Sequence, residues 1–357
     1  MTTTSKRSTT DISQLRERAA AIKKQVIANL DHYLVETEKQ VNAHGGHVVF
    51  AQTIDDAVDY ILLLAKERGV EHLVGARATE LANEKQALRN EIEAVGSDLG
   101  SYLAGRARHP DASASFQLER LLAAGIGITG ANFVVADAGA ICIVQDDDSG
   151  RLASAAPKIH VAVAGIEKII PRTRDLAIFL RLLSARFPAQ TSLLSGPRRA
   201  DELDGPEEFF LILLDGGRST ILADPAKREL LQCIRCGACL AHCPVTPVGQ
   251  KGALTQLLTP PHSASPLVHA STLCGACGEA CPVRIDLPRV LVALRQDDRR
   301  TLGGWRAWLL NGWVFVMQRP RLYEFVGLIA RAFWPASWKG AQPTAKSFRQ
   351  LWRGRGR

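Results

Sequence analysis

Apolar residues recur along the chain at spacings that predict an alternation of helices and strands. Between residues 12 and 45 they form a single stripe at steps of three and four, which predicts one long helix. The apolar run at 47–51 then predicts a strand, and Thr53 and Asp56 form a helix N-cap box ahead of a helix over 57–66. The sequence therefore predicts an N-terminal helix followed by a strand–helix pattern.

This alternation extends through most of the chain and predicts a parallel sheet with helices on its faces. We expect an α/β domain over residues 11–224, preceded by a disordered, Ser/Thr-rich lead-in at 1–10. Its further predicted elements are strands at 72–75, 92–95, 133–136, 140–144, 159–163 and 209–214, helices at 81–88, 116–124 and 175–185, and a loop at 106–115.

Three glycines, Gly125, Gly127 and Gly130, have the spacing G-x-G-x-x-G. In dinucleotide-binding proteins this spacing lies between a strand and a helix. Here a predicted helix precedes the glycines and a β-rich run follows them. We therefore predict a flexible turn that enters a strand, and not a nucleotide site.

Seven of the eight cysteines lie between residues 233 and 281. The first four, with a proline after the last, match C-x2-C-x2-C-x3-C-P: Cys233, Cys236, Cys239 and Cys243. Three thiolates within seven residues can wrap one face of a cubane iron–sulfur cluster, and the fourth is carried away to a neighbouring cluster. Gly237 lets the backbone pass close to the inorganic core.

A second run keeps the last three cysteines and the proline, but Ser271 stands where its first cysteine would be. If the two runs exchange their last cysteines, the first cluster is held by Cys233, Cys236, Cys239 and Cys281. The second is held by Cys243, Cys274 and Cys277, one thiolate short. Ser271 oxygen, water or hydroxide, another residue, or nothing in a three-iron cluster could fill the gap. We expect two [4Fe-4S] clusters, with [3Fe-4S] as the alternative for the second.

Structural zinc is the main competing interpretation of the cysteines, because cysteine pairs also form tetrahedral zinc sites. A zinc site requires neither a third cysteine after two further residues nor a terminal Cys-Pro in both runs. We therefore predict that these cysteines bind iron–sulfur clusters. Clustered cysteines in a reducing compartment also favour metal over disulfides. His242 is expected to be a neighbour that tunes the potential, and Cys142 a buried small hydrophobe.

Two clusters imply one-electron transfer between a donor and an acceptor. We therefore predict a helical, ferredoxin-type domain at 225–296 in an electron carrier. No nucleophile elbow, zinc-protease motif or Walker loop is present, so no catalytic residue is assigned. The acidic residues at 146–148 and 207–208 are expected to be solvated loops.

With the cysteine runs, other segments resemble the lactate utilization protein B (LutB) family, iron–sulfur proteins of bacterial L-lactate oxidation. They lie at 28–34, 45–48, 127–133, 157–160, 165–169, 196–199, 204–208 and 214–218, and Ser271 also matches the family pattern. The resemblance implies an N-terminal LUD domain of CoA-transferase/NagB-like α/β fold. It further implies an electron-transfer subunit in a complex of three different subunits that oxidises L-lactate to pyruvate. The stretch 99–116 and the segment joining the cysteine runs are shorter than in typical members.

Two other functions stay open from the sequence. The LUD-like domain could itself act on a small acid or acyl thioester, with Lys168 or His160 near the substrate. Alternatively, the protein could be a zinc-stabilised binding adaptor.

The C-terminal residues 297–357 form a predicted basic, Trp-rich helical tail. From residue 294 onward there are 13 Lys and Arg against three acids, whereas the whole chain has a net charge of +8, and all six Trp lie here. Pro320 and Pro335 should divide the tail into short helices. We expect it to dock on a partner subunit, with peripheral membrane contact second and nucleic acid excluded, because no nucleic-acid-reading module accompanies it. Because no signal peptide is present, we expect a cytoplasmic protein. If the tail contacts a membrane, we expect it at the inner face.

Overall fold

The computed structural model describes residues 3–75, 80–82, 124–145, 149–184, 190–202, 204–245, 270–301 and 305–332. The chain divides into two compact units, residues 1–294 and 295–357. The predicted elements at 92–95, 106–115 and 116–123 and the acidic run at 146–148 lie outside the described residues.

The helices of the described ranges lie in four parts of the chain: the N-terminus, the sheet domain, the cysteine runs and the tail. They are α1 Thr3–Ala28, α2 Leu30–Ala43, α3 Ile54–Glu67, α4 Ser149–Ala155, α5 Thr173–Ser184, α6 Arg218–Ala223, α7 Ala238–Ala241, α8 Ala276–Ala280, α9 Leu287–Thr301, α10 Trp305–Met317 and α11 Pro320–Ala332. Short 3-10 helices lie at Ala136–Ala138, Ile166–Lys168 and Arg228–Gln232.

The strands form two sheets. They are β1 His47–Ala51, β2 His72–Gly75, β3 Glu80–Ala82, β4 Ile126–Gly130, β5 Phe133–Val135, β6 Ala140–Gln145, β7 Ile159–Gly165, β8 Ile169–Ile170, β9 Gln190–Leu194 and β10 Glu208–Leu214. The larger sheet has the order β1-β10-β7-β4-β2-β3 and is parallel except for β3. The smaller has the order β8-β5-β6-β9. The predicted α/β class, with its parallel sheet, is confirmed.

Local sequence accounts for the entry into the larger sheet. Thr53 caps α3 by accepting a hydrogen bond from the Asp56 backbone N–H, and the Asp56 carboxylate accepts one from the Thr53 N–H. This is the predicted capping box, which satisfies two backbone donors that a helix start leaves unpaired. Strand β7 lies inside the sheet and is buried along its whole length, as both faces of a parallel sheet are covered.

The predicted single helix over 12–45 is wrong, because Asn29 divides it into α1 and α2. Its backbone leaves helical geometry, with φ −133° and ψ 42°, and its side-chain amide donates to the Gln25 carbonyl at 2.9 Å. Asn commonly competes in this way with the helix backbone. The first helix also begins at Thr3, within the stretch expected to be a lead-in.

The predicted helix at 81–88 is wrong at its start. Residues Glu80–Ala82 form the edge strand β3, in which Leu81 pairs with Leu73 of β2 in antiparallel register. Pairing along the sheet edge outweighs the helical propensity of this Leu- and Ala-containing segment. The remainder, 83–88, lies outside the described residues.

The G-x-G-x-x-G glycines serve packing around β4. Gly127 lies inside the strand, and a Cβ there would stand 1.8 Å from the Ala153 carbonyl oxygen of α4. No helix follows the glycines; β4 ends at Gly130 and β5 begins at Phe133. The predicted flexible turn is therefore wrong for Gly127 and Gly130, which lie within β4, and Gly127 allows the close approach of α4 to this strand.

Gly127→Ala is expected to lower the free energy of unfolding by about 1–3 kcal/mol, because the added methyl group meets backbone and the helix must shift. Urea unfolding followed by circular dichroism measures the change. Gly312→Ala is the control, since nothing lies within 4 Å of a Cβ at that position. Equal stability of the two variants would contradict the packing role of Gly127.

The second unit contains α10 and α11, separated at Gln318 and Arg319. Pro320 is the first residue of α11, so the predicted division at this proline is confirmed. Trp308, Trp313 and Phe325 are exposed. None of the helices in the described ranges has the length and hydropathy needed to cross a lipid bilayer. Pro335 and the Arg-rich end lie outside those ranges.

Candidate metal centre

The first cysteine run leaves the 3-10 helix Arg228–Gln232 and winds into the short helix α7. Arg235 and Gly237, on either side of Cys236, both have left-handed backbones, with φ of 56° and 68°. Arg235 donates its backbone N–H to the Cys233 sulfur at 3.3 Å. A left-handed arginine is strained and Gly237 is not, so the turn fixes where the backbone N–H groups point.

The second run repeats this backbone conformation. Leu273 and Gly275, on either side of Cys274, have φ of 56° and 88°, and α8 follows as α7 does in the first run. The Cys243 and Cys281 backbone N–H groups each donate to the carbonyl three residues earlier, at 3.2 Å. The two runs are therefore equivalent in three dimensions, and α7 packs against α8.

A cavity brings together cysteines from both runs. About 450 Å³ of space without protein atoms, part of it open solvent, lies here, and the lining includes Cys233, Cys236, Cys239 and Cys281 with mostly apolar neighbours such as Leu230 and Ile285. Cys236 and Cys281 are buried. These are the four residues predicted to hold the first cluster. Cys142 does not line this cavity.

Cys281 is positioned by the chain on both sides of it. Its sulfur accepts the Ile285 backbone N–H at 3.4 Å, and its carbonyl accepts from the Arg16 guanidinium of α1 at 2.7 Å. Arg16 also donates to the Glu279 carbonyl. Burial raises the pKa of the Cys281 thiol, a cost that falls when the thiolate binds a cation.

The other three cysteines include none that is buried. Cys274 is exposed, and Cys243 and Cys277 are half-buried, as Cys233 and Cys239 of the first set are. The backbone N–H of Ala276 lowers the pKa of Cys274, while burial raises that of Cys277. The predicted second cluster would therefore sit nearer to solvent than the first.

No three His, Cys, Asp or Glu side chains in the described ranges lie in position to share a single metal ion. A zinc site needs its ligands within about 2.3 Å of one ion, whereas an iron–sulfur cluster separates its cysteines by its own body.

A group of buried charges lies beside Cys233. Glu167 is fully buried between two buried guanidiniums: Arg235 Nη2 donates to its Oε1 at 3.0 Å, and Arg218 Nε donates to its Oε2. Burial alone would raise the pKa of Glu167, but the two arginines outweigh it and hold the pKa at about 2. The carboxylate is therefore charged in the folded protein.

Lys23 of α1 adds a further cation to this group. Its Nζ donates to the Glu167 carbonyl and, at 3.3 Å, to the Ile169 carbonyl. Burial lowers the Lys23 pKa to about 8, an effect that Glu167 and Cys233 partly offset. Gly165 leaves the room that the ion pair needs, since a Cβ there would stand 2.1 Å from Glu167 Oε2.

This group favours a negatively charged partner on its cysteine side. Three buried cations lie at Glu167: Arg218 and Arg235 bond to its carboxylate, and Lys23 bonds to its backbone carbonyl. Arg235 Nε and Nη1 are buried without a hydrogen-bond partner, and Arg235 lines the cavity with the cysteines. Buried charges are stable only when they are compensated. Thiolates around an iron–sulfur cluster carry net negative charge, so the residues present fit such a group.

The polar residues weighed as catalytic candidates have structural partners. His160 is buried and shares a hydrogen bond with Thr129 Oγ1 at 2.8 Å, and burial lowers its pKa to about 3. Lys168 donates to the Ala131 carbonyl at 2.9 Å. Glu207 and Glu208 pair with Arg198 and Arg68. The predicted solvated loop is wrong for Glu208, which is half-buried and begins β10.

The predicted burial of Cys142 is confirmed, whereas the tuning role of His242 stays a prediction. Cys142 lies within β6, fully buried, and burial raises its pKa to about 12. His242 Nδ1 lies 3.0 Å from the Ala238 carbonyl at the end of α7.

Sequence reasoning missed the buried charge group, although one signal was present. Lys23 lies four residues after Ala19 and three before Val26, so it falls on the apolar stripe of α1. A lysine on a buried stripe needs a partner. Glu167 and Arg218 carry no such periodic signal, because only the fold brings them together.

Comparison with known proteins agrees with this architecture. The LUD domain model matches residues 34–214, so the chain belongs to the LUD-domain proteins. It is 35% identical to Lactate utilization protein B of Bacillus pumilus, over 79% of this chain and 71% of that one. It is 32% identical to Lactate utilization protein B of Macrococcus caseolyticus, with the same shares covered. The chain thus belongs to the lactate utilization protein B family.

Two further similarities extend the comparison. An Escherichia coli protein described as "Uncharacterized electron transport protein YkgF" is 33% identical over 90% of this chain and 80% of its own. A crystal structure of a DUF162 family protein from Deinococcus radiodurans matches 52% of this chain and 98% of its own, with 16% identity and a TM-score of 0.33.

Proposed function

We propose that this protein is the iron–sulfur electron-transfer subunit of a multi-subunit system that oxidises L-lactate to pyruvate. The observation that carries the proposal is the cavity that joins Cys233, Cys236 and Cys239 of one run to Cys281 of the other. Such an exchange of the last cysteine is the ligand pattern of two-cluster ferredoxins. The buried cations beside Cys233 supply matching positive charge.

Under this proposal Cys233, Cys236, Cys239 and Cys281 hold the first cluster, and Cys243, Cys274 and Cys277 hold the second. When bound, the clusters supply one-electron transfer without proton or group transfer. The repeated backbone of the two runs supports a ferredoxin-type domain at 225–296 between the α/β domain and the tail.

The difference in exposure gives the two clusters different places in an electron path. The ligands of the second are half-buried or exposed, so a partner protein could approach it closely. The first has two buried ligands, Cys236 and Cys281, and none that is exposed. We assign exchange with external partners to the second cluster.

Lactate as the substrate rests on the relatives' names, two of which are Lactate utilization protein B. Chemistry on the substrate is assigned to another subunit, because His160 and Lys168 are engaged in structural hydrogen bonds. The basic tail is proposed to dock on a partner subunit. A cytoplasmic location belongs to the same proposal.

A reductive titration of the anaerobically purified chain tests the electron-carrier role. We expect the visible absorption to bleach on addition of dithionite, with uptake of about two electrons per chain, one for each cluster. Air-free addition of an artificial acceptor should restore the absorption. L-lactate alone should not bleach it. Bleaching by lactate without partner subunits would instead mean that the chain is itself the lactate-oxidising enzyme.

A further inference from the structure

We propose that the Ser271 hydroxyl oxygen is the fourth protein ligand of the second cluster. This inference rests on the proposed function, since it concerns a cluster held by Cys243, Cys274 and Cys277. It replaces an open position with a named donor atom and makes the two clusters chemically unequal.

The first support is the equivalence of the two runs. Alignment of Cys236 with Cys274 places Cys239 on Cys277, and Cys233 on Ser271. The left-handed residues fall at the same two places in each run, one before and one after the aligned cysteine. The first residue of each pair, Arg235 or Leu273, is not glycine. A left-handed conformation at Leu273 costs free energy, and an ordinary turn would not need it. The second run therefore retains the complete ligand-wrapping backbone of the first.

The second support is the hydrogen bond at the donor atom itself. In the first run the Arg235 N–H donates to Cys233 Sγ at 3.3 Å, and in the second the Leu273 N–H donates to Ser271 Oγ at 3.3 Å. The side-chain heteroatom is thus held by the same backbone group at the same distance in both runs. Ser271 Oγ stands where the first run places a predicted ligand sulfur.

Oxygen at this position has definite chemical consequences. On binding, an iron–oxygen bond forms, the hydroxyl O–H bond breaks, and the proton passes to solvent, with no change of oxidation state. An alkoxide is a harder donor than a thiolate and stabilises ferric iron more strongly. The second cluster should therefore have a lower reduction potential than it would with four thiolates, and its oxygen-bound iron should be the first to be lost.

Matched exchange variants of the full chain test the assignment. Ser271→Cys is expected to shift the reduction potential of the second cluster upward and to leave the first unchanged. Cys233→Ser makes the reverse exchange at the equivalent position, and should lower the potential of the first cluster only. Ser271→Ala should lose one iron per chain and show the signal of an oxidised three-iron cluster. Potentials come from redox titration followed by electron paramagnetic resonance.

Solvent is the competing ligand, and isotope labelling separates it from serine. Electron–nuclear double resonance of the reduced wild-type protein in oxygen-17-labelled water should show no strongly coupled labelled oxygen. Such coupling, or a Ser271→Cys variant with an unchanged second potential, would overturn the serine assignment while leaving both clusters in place. Wild-type protein without iron would overturn the proposed function itself, so the two failures differ.

Discussion

Cys281→Ala is expected to remove the first cluster and to spare the second, although Cys281 lies in the second run. The protein should retain about four of the eight iron atoms that two cubane clusters contain. The physical reason is the cavity, which Cys281 shares with Cys233, Cys236 and Cys239 and not with its sequence neighbour Cys277.

The measurement is the paramagnetic resonance spectrum of the reduced variants, compared in pairs. The remaining signal in Cys281→Ala should match that in Cys236→Ala, and the remaining signal in Cys243→Ala should match that in Cys274→Ala. Cys142→Ala is the control, because Cys142 lies in β6 and does not line the cavity. Pairing of Cys281 with Cys274 would show that each run holds its own cluster.

Glu167→Gln is expected to lower the free energy of unfolding by about 3–5 kcal/mol, because it leaves buried guanidiniums without their carboxylate. Arg218 and Arg235 both bond to Glu167 and are both buried. Anaerobic urea unfolding measures the loss. The control is Glu208→Gln, whose partner Arg68 is at the surface, where ion pairs contribute about 0–1 kcal/mol.

The same variant should raise the reduction potential of the first cluster. Removal of a buried negative charge beside Cys233 favours the more negative, reduced form of a nearby redox centre. The second cluster, whose ligands lie nearer to solvent, should change much less. If Glu167→Gln is as stable as Glu208→Gln and the potential of the first cluster is unchanged, the role given to this charge group is contradicted.

Local sequence predicted those parts of the fold that local interactions determine. The Thr53–Asp56 capping box, the strand at 47–51 and the start of α11 at Pro320 all follow from neighbouring residues. The break at Asn29 was missed, because the apolar stripe continues across it with Val26 and Leu30 both buried. Periodicity alone therefore does not reveal a change from one helix to two.

Features that depend on distant residues could not be predicted in this way. Strand β3 forms because Leu81 pairs with Leu73 of β2 at the edge of the sheet. The charge group joins residues 23, 167, 218 and 235, which have no common spacing in the sequence. The cysteine spacing predicted a ligand set without its surroundings, and the fold supplied the cavity and the cations beside it.

The contents of iron, acid-labile sulfide and zinc in the anaerobically purified wild-type chain show directly whether the cysteines hold iron–sulfur clusters or zinc. We expect about eight iron and eight sulfide per chain, without stoichiometric zinc, for two cubane clusters. Bound zinc with little iron and no sulfide would contradict this expectation, and would favour a metal-stabilised binding protein in place of an electron carrier.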